Sequence, residues 1–211
     1  MNIVVVFESM FGNTRQVAAA IAEGLAPSGT VASFTVNDAG AKDAAESADL
    51  LVVGGPTHVH GMSRPASREE ARNWVNDPAK TVTLEPTAPG IGVREWIDGL
   101  GTMPALCAAF DTRMDIARIL SGAASGHIEH ELTKRGSRAV LPAASFLVTK
   151  ETVLEDGELA RAREWGASRG EAAGLPVHHC PAHGHRGDTR DPAGIAKVSA
   201  SRPAFSEPRS A

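Results

Sequence analysis

The sequence predicts a doubly wound α/β fold, a five-stranded parallel sheet in a three-layer α/β/α arrangement, and three observations lead there. Ile3, Val4, Val5, Val6 and Phe7 form an unbroken apolar run, and residues 50–55 form a second one closed by two glycines. Strands that are apolar at every position are buried on both faces, which is the condition of a parallel sheet. Between such runs the apolar residues fall at helical spacing, and glycine, proline and serine mark the changes of pattern.

The first strand, residues 3–7, leads through a loop at residues 8–13 into a helix. Val17, Ala18, Ile21 and Leu25 lie on one face of that helix until Pro27, Ser28 and Gly29 stop it. Residues 31–36 are the second strand, 41–48 a short helix and 50–55 the third strand. Ser67 and Glu70 have the spacing of a capping box ahead of Ala71 and Trp74, which puts a helix start just after Pro65. Residues 77–92 hold three prolines and no period, the mark of a loop insertion. Val93, Trp96, Ile97 and Leu100 then sit at i, i+3, i+4 and i+7, a short amphipathic helix. Residues 105–110 form a small-residue fourth strand, and Ala124, Ile128 and Leu132 mark a helix closed by Gly136. Residues 144–148 are the fifth strand, and Leu159, Ala162 and Trp165 give the last helix. Five strands with interleaved helices fit the order 2-1-3-4-5.

Composition narrows the class. With 211 residues, 42% hydrophobic and 22% charged, the chain suits one domain with a sizeable core and excludes a collagen, a coiled coil and a wholly disordered chain. The run at residues 3–7 is the longest purely aliphatic or aromatic one and falls far short of the ~20 residues that span a bilayer. No basic segment precedes it, so no membrane partner and a cytoplasmic location are expected. Cys107 and Cys180 show no CxxC spacing, in keeping with a reducing compartment. Residues 176–211 carry five basic and three acidic side chains against a whole-chain net charge of -4, and they hold five of the thirteen prolines. Residues 1–174 are therefore expected to form the domain, with a disordered tail from residue 175. An acidic body without a basic stripe argues against nucleic acid as a partner.

In such a sheet the ligand lies at the carboxyl ends of the strands that flank the topological switch, here the first, third and fourth. The first of these loops is Ser9-Met10-Phe11-Gly12-Asn13-Thr14, and it opens onto a helix N-terminus, where free backbone N–H groups and the helix dipole favour a phosphate. Ser9 and Thr14 add hydroxyls, and Gly12 lets the chain turn closely; an ordinary cap by Asn13 explains the same residues. A Walker A loop and a three-glycine dinucleotide fingerprint are both absent. Receiver-type phosphoacceptor chemistry would gather acidic residues here, whereas Glu8 stands alone and Gly54-Gly55-Pro56-Thr57 ends the third strand.

The first loop resembles the phosphate loop of flavodoxins and flavodoxin-like domains. Gly55-Pro56-Thr57-His58-Val59-His60-Gly61-Met62 is similar to that family's first flavin-flanking loop, and Ala109-Phe110-Asp111-Thr112-Arg113 stands at its second. The resemblance covers about residues 1–173 and implies an FMN site. Its cofactor-binding residues would be Ser9, Met10, Phe11, Gly12, Asn13, Thr14, Pro56, Thr57, His58, Val59, His60, Gly61, Phe110, Asp111, Thr112 and Arg113. It further implies a redox protein that serves a redox partner protein or a small electron acceptor, as a shuttle or as an FMN-dependent reductase.

Two departures bear on redox level rather than on fold. The chain has no tyrosine to stack on the flavin, and Phe11 replaces a hydroxyl-bearing residue common in the phosphate loop. His58, Val59, His60, Met62 and Trp96 are the alternative covers, while Trp74, Trp165 and Met103 are assigned to packing. His58 and His60 are also the candidate catalytic residues, either meeting the flavin or a substrate proton, or lying solvated in their loop. Arg113 could face an anion or pair with Asp115 or Glu8. Asp111 could shape its turn or meet the ring edge.

Other classes remain to be set beside this one. His178, His179, Cys180, His183 and His185 are zinc- or copper-type donors within eight residues, but their spacing matches no closed structural site, so no metal is assigned. A flavin-free module acting as a non-catalytic interaction protein, or one with a metal-binding tail, is the alternative. Flavin absorbance separates it from the first reading.

Overall fold

A computed structural model describes residues 1–78 and 80–172. β1 (Asn2–Phe7) lies between β2 (Thr30–Thr35) and β3 (Leu50–His58), parallel to both. β3 pairs in parallel with β5 (Leu106–Met114), whose far side is shared by β6 (Arg138–Ala139) and β7 (Ala144–Val148). The path β2-β1-β3-β5-β7 is the expected 2-1-3-4-5 order.

Two short strands escaped the sequence. β4 (Gly61–Met62) folds back antiparallel on the end of β3. β6 splits the outer edge: Arg138 faces Leu106 and Ala144 faces Phe110, so the edge spends six residues where β5 spends four. Pro142, which has no N–H for a ladder, lies in that excess. β3 and β5 also run past their predicted ends, through His58 and Met114: their mutual pairing continues to Pro56 and Thr112, beyond which β3 pairs with β4 and β5 with β7.

The pleat sends alternate residues of each apolar run to opposite faces. Ile3, Val5, Leu50, Val52, Ala108 and Phe110 meet Val17, Ile21 and Leu25 of α1 (Asn13–Leu25) and Ala162 of α7 (Glu158–Ala172). Val4, Val6, Leu51 and Val53 meet α2 (Ala41–Glu46), α4 (Val93–Asp98) and α6 (Ala124–Lys134) on the other face. The three layers follow directly from that alternation. Leu159, expected in the last helix's apolar face, is exposed instead, and Ala162 with Trp165 supplies the contact.

α3 (Pro65–Asn73) begins earlier than the capping-box spacing suggested. Pro65, whose fixed φ suits a first helical position, opens it, and Ser67 Oγ reaches back to accept from the Arg64 N–H at 3.0 Å. α5 (Arg118–Ser121) is four residues long, too short to carry a period. No helix among the described residues is long and apolar enough to cross a membrane. The boundary at Gly174, the tail, and His178, His179, Cys180, His183 and His185 lie outside the described residues.

Candidate functional site

The carboxyl ends of β1, β3, β5 and β7 surround a cavity of about 340 Å³. Met10, Phe11, Asn13 and Thr14 line it from the first loop, Pro56, Thr57, His58, Val59 and His60 from the β3 loop, and Thr112 and Arg113 from β5. The topological switch has therefore brought together the three loops that the sequence singled out.

At the first loop, Gly12 takes φ 90°, and its N–H donates to Ser9 Oγ at 3.1 Å. Ser9 and Gly12 thus shape the turn from behind the cavity wall. α1 starts with no side-chain cap and no acidic residue in its first turn, so the expected cap by Asn13 is not made. The Asn13 amide crosses to the Thr152 carbonyl instead, at 2.7 Å. Thr14 is buried, with its hydroxyl 2.8 Å from that of Thr112. Arg15 Nε is held at 2.8 Å by Glu85 of the insertion, whose own N–H donates to the Met10 carbonyl. The attraction of this corner for an anion comes from backbone N–H groups and dipole, with Arg15 already paired.

At the second loop, Val59 and His60 form the two-residue turn between β3 and β4 at φ 43° and 72°. Such turns need positive φ at both positions and ordinarily use Asn or Gly, so a β-branched valine here is strained. Val59 is 82% exposed, and no packing repays the strain. His58 sits lower, where burial and the nearby Arg68 push its imidazole below the ordinary value of 6.5 against the opposing pull of the Ser67 backbone and Glu70.

Strand alternation sends Phe110 and Asp111 to opposite faces of the sheet, and neither lines the cavity. The Phe110 ring packs edge-on against Phe146 and Trp165 in the core, 6.3 and 6.4 Å between centroids. Asp111 Oδ2 accepts from the Ser125 N–H at 2.7 Å, and Thr57 Oγ1 accepts from the Ala124 N–H at 2.8 Å, so the two cap α6 from neighbouring strands. Burial raises the Asp111 carboxyl against hydrogen bonds from Ser125 and Ser145 and the charge of Arg113. Neither alternative weighed for Asp111 describes it, because it serves a helix distant in sequence. Gly61 likewise pairs with His58 in the hairpin and stands outside the cavity lining.

Arg113 pairs with neither Asp115 nor Glu8. Its Nη1 donates to the carbonyls of Met114 and Ile116, at 3.2 and 2.8 Å, and to Ser121 Oγ at 3.1 Å, fastening the segment that follows β5. Glu8 lies buried behind the site, with Oε2 accepting from Ser63 Oγ at 2.8 Å and from the Val93 N–H at 2.9 Å. Burial pushes its carboxyl above the usual 4.5, in spite of those bonds and the nearby Arg68. Arg68 is buried as well and pairs with Glu95 at 3.3 Å.

Several wall residues were not among the expected site residues. Ser67, Glu70, Ala71 and Trp74 come from α3 and the 3₁₀ turn that extends it (Trp74–Asn76), and Met114, Ile116, Leu120 and Ser121 follow β5. Val148, Thr149 and Thr152 close the β7 side. Trp74 is thus a wall residue as well as a packing one: it stacks on Phe11 at 5.9 Å with planes 4° apart, under Lys80 Nζ at 3.8 Å. Trp96 and Met62, expected as covers, are buried in the core beside α4 and α6. A helical i, i+4 spacing could have flagged Ser67, Ala71 and the 70–74 pair as one face once α3 was known to flank the site.

A flavin mononucleotide fits what is present. A 13-residue helix with no side-chain cap opens at one end of the cavity beside a buried threonine hydroxyl, while the remaining walls are largely apolar.

No family model matches the sequence, and no curated protein matches it. Solved structures do share the fold. Flavodoxin 2 from Bacillus cereus is 16% identical with a TM-score of 0.57, over 81% of this chain and 99% of that one. Flavodoxin 1 from the same organism is 19% identical with a TM-score of 0.55, over 80% and 97%. A flavodoxin from Streptococcus pneumoniae is 16% identical with a TM-score of 0.53, over 81% and 98%. The fold is flavodoxin-like.

Proposed function

We propose that this chain is an FMN-binding redox protein. The observation that carries the reading is the uncapped start of α1, with the buried Thr14 hydroxyl, opening into a cavity between the β3 and β5 loops. Bound there, FMN would supply one- or two-electron transfer, chemistry that no side chain provides. The chain's own residues bind and orient it. The first N–H groups of α1 and Thr14 take the phosphate, and Thr57, Thr112 and the Val59–His60 turn border the space left for the ring. His58, displaced below 6.5, is neutral at pH 7 and offers a hydrogen bond rather than a charge.

The electrons pass to a redox partner protein or a small acceptor, with Val59, Ile119 and Leu120 exposed near the mouth. A cytoplasmic setting suits Cys107, a buried thiol that forms no disulfide among the described residues. The visible spectrum of the purified full-length protein, followed by titration of the apoprotein with FMN, tests the reading. Saturable binding at micromolar FMN is expected; its absence would leave the flavin-free interaction module as the better account.

A further inference from the structure

A second cleft, about 350 Å³, opens beside the cavity and shares His60 with it. Its other walls are Arg118, Gly122, Ala123, Gly126 and His127. Three nitrogen-bearing side chains face one cleft whose lining contains no carboxylate. Arg118 is exposed and forms no ion pair among the described residues. His127 Nδ1 lies 3.2 Å from the Ala123 carbonyl, which can only accept, so Nδ1 carries the hydrogen; Nε2 accepts in the neutral ring and donates to an anion when the ring carries its second proton.

The cleft is built rather than incidental. Gly122 bridges His60 and approaches it so closely that a Cβ would stand 2.3 Å from the His60 Cα and carbonyl oxygen. The Gly122 N–H donates to the Arg118 carbonyl at 2.8 Å, and Arg113 fastens Ser121 next to it. The start of α6 is not the source of attraction, since its Ala124 and Ser125 N–H groups are already taken by Thr57 and Asp111.

We infer that this cleft is the anchor for an anionic small molecule, the carboxylate or phosphate of the electron acceptor, held by Arg118 and His127 with His60 between anchor and cavity. The inference rests on the flavin reading for the word acceptor, and on the cleft alone for the anion. A guanidinium, joined by imidazoles that donate when protonated, binds an oxyanion through charge-assisted hydrogen bonds. The acceptor's remaining body would then extend past His60 toward the cavity mouth.

The test titrates the full-length protein, as purified and again after FMN addition, with inorganic phosphate and separately with benzoate, following the ring ¹H–¹⁵N signals of His60 and His127. Saturable shifts at both rings are expected, with affinity reduced about tenfold or more in Arg118→Ala and in His127→Gln, the loss of a charge-assisted bond. Stronger binding of phosphate points to a phosphate-bearing acceptor, and of benzoate to a carboxylate-bearing one. Shifts that fail to saturate, or that persist unchanged in both variants, overturn the proposal. Thr14→Ala keeps these titrations intact while weakening FMN. A protein that binds no FMN yet passes this test loses the redox reading and retains the anion site.

Discussion

Thr14 Oγ1 and Thr112 Oγ1 stand 2.8 Å apart in a buried contact that ties the first turn of α1 to the end of β5. Two loops separated by 98 residues in sequence thereby share one wall, and each hydroxyl keeps spare hydrogen-bonding capacity toward the cavity.

Thr14→Ala should weaken FMN by roughly 1–3 kcal/mol and leave riboflavin nearly unchanged, because only the phosphate loses a partner. Ser9→Ala, which frees the Gly12 N–H and loosens the turn, should show the same pattern. Fluorescence titration with both flavins measures it, and an equal loss for riboflavin would mean that the loop is structural only.

Glu8→Gln should alter the pH dependence of stability. The unfolded chain releases this proton near 4.5, whereas the folded protein, with its carboxyl raised by burial, holds it to higher pH. Between the two values the folded state binds more protons, so rising pH removes stability. Glutamine cannot titrate, so the variant should gain on the wild type as pH rises from about 4.5 and the gain should level off above the folded value. Urea unfolding of both proteins across this range reads the difference; a constant difference would place the ionisation of Glu8 elsewhere.

Val59→Asn should stabilise the protein by about 1 kcal/mol. Asparagine tolerates positive φ far better than a β-branched side chain, and at 82% exposure little packing is lost. A lower melting temperature in the variant would show that the valine contributes contacts that outweigh the strain.

His58→Ala should change the reduction potential of the FMN-loaded protein chiefly below pH 6.5, since burial delays protonation of this imidazole until lower pH. A protonated His58 would favour the electron-rich state and raise the wild-type potential as pH falls. One pK unit of coupling is ~1.4 kcal/mol, about 60 mV for one electron. Potentiometry on wild type, His58→Ala and His60→Ala decides between them, and superimposable profiles would make both histidines bystanders.

Much of this architecture was legible because burial on both faces leaves a one-dimensional trace. The runs at residues 3–7 and 50–55 are apolar throughout since helices cover both sides, and the loop that follows each is where the pattern breaks. Those breaks located the first and second loops and nine of the cavity's lining residues. The polar continuation of β5 left no such trace, so Asp111 could be named without its role being visible.

By itself the sequence determined the five principal strands, the main helices between them and the loops at the carboxyl ends, because each depends on neighbours within a few residues. The tertiary structure alone decided which way Phe110, Asp111 and Thr112 point, that Trp74 and α3 form a wall, and that Arg118 and His127 share a cleft with His60. The reason is range. A period records the solvent each side chain meets, whereas a cap from β5 to α6 or a stack between Phe11 and Trp74 depends on where distant segments come to rest.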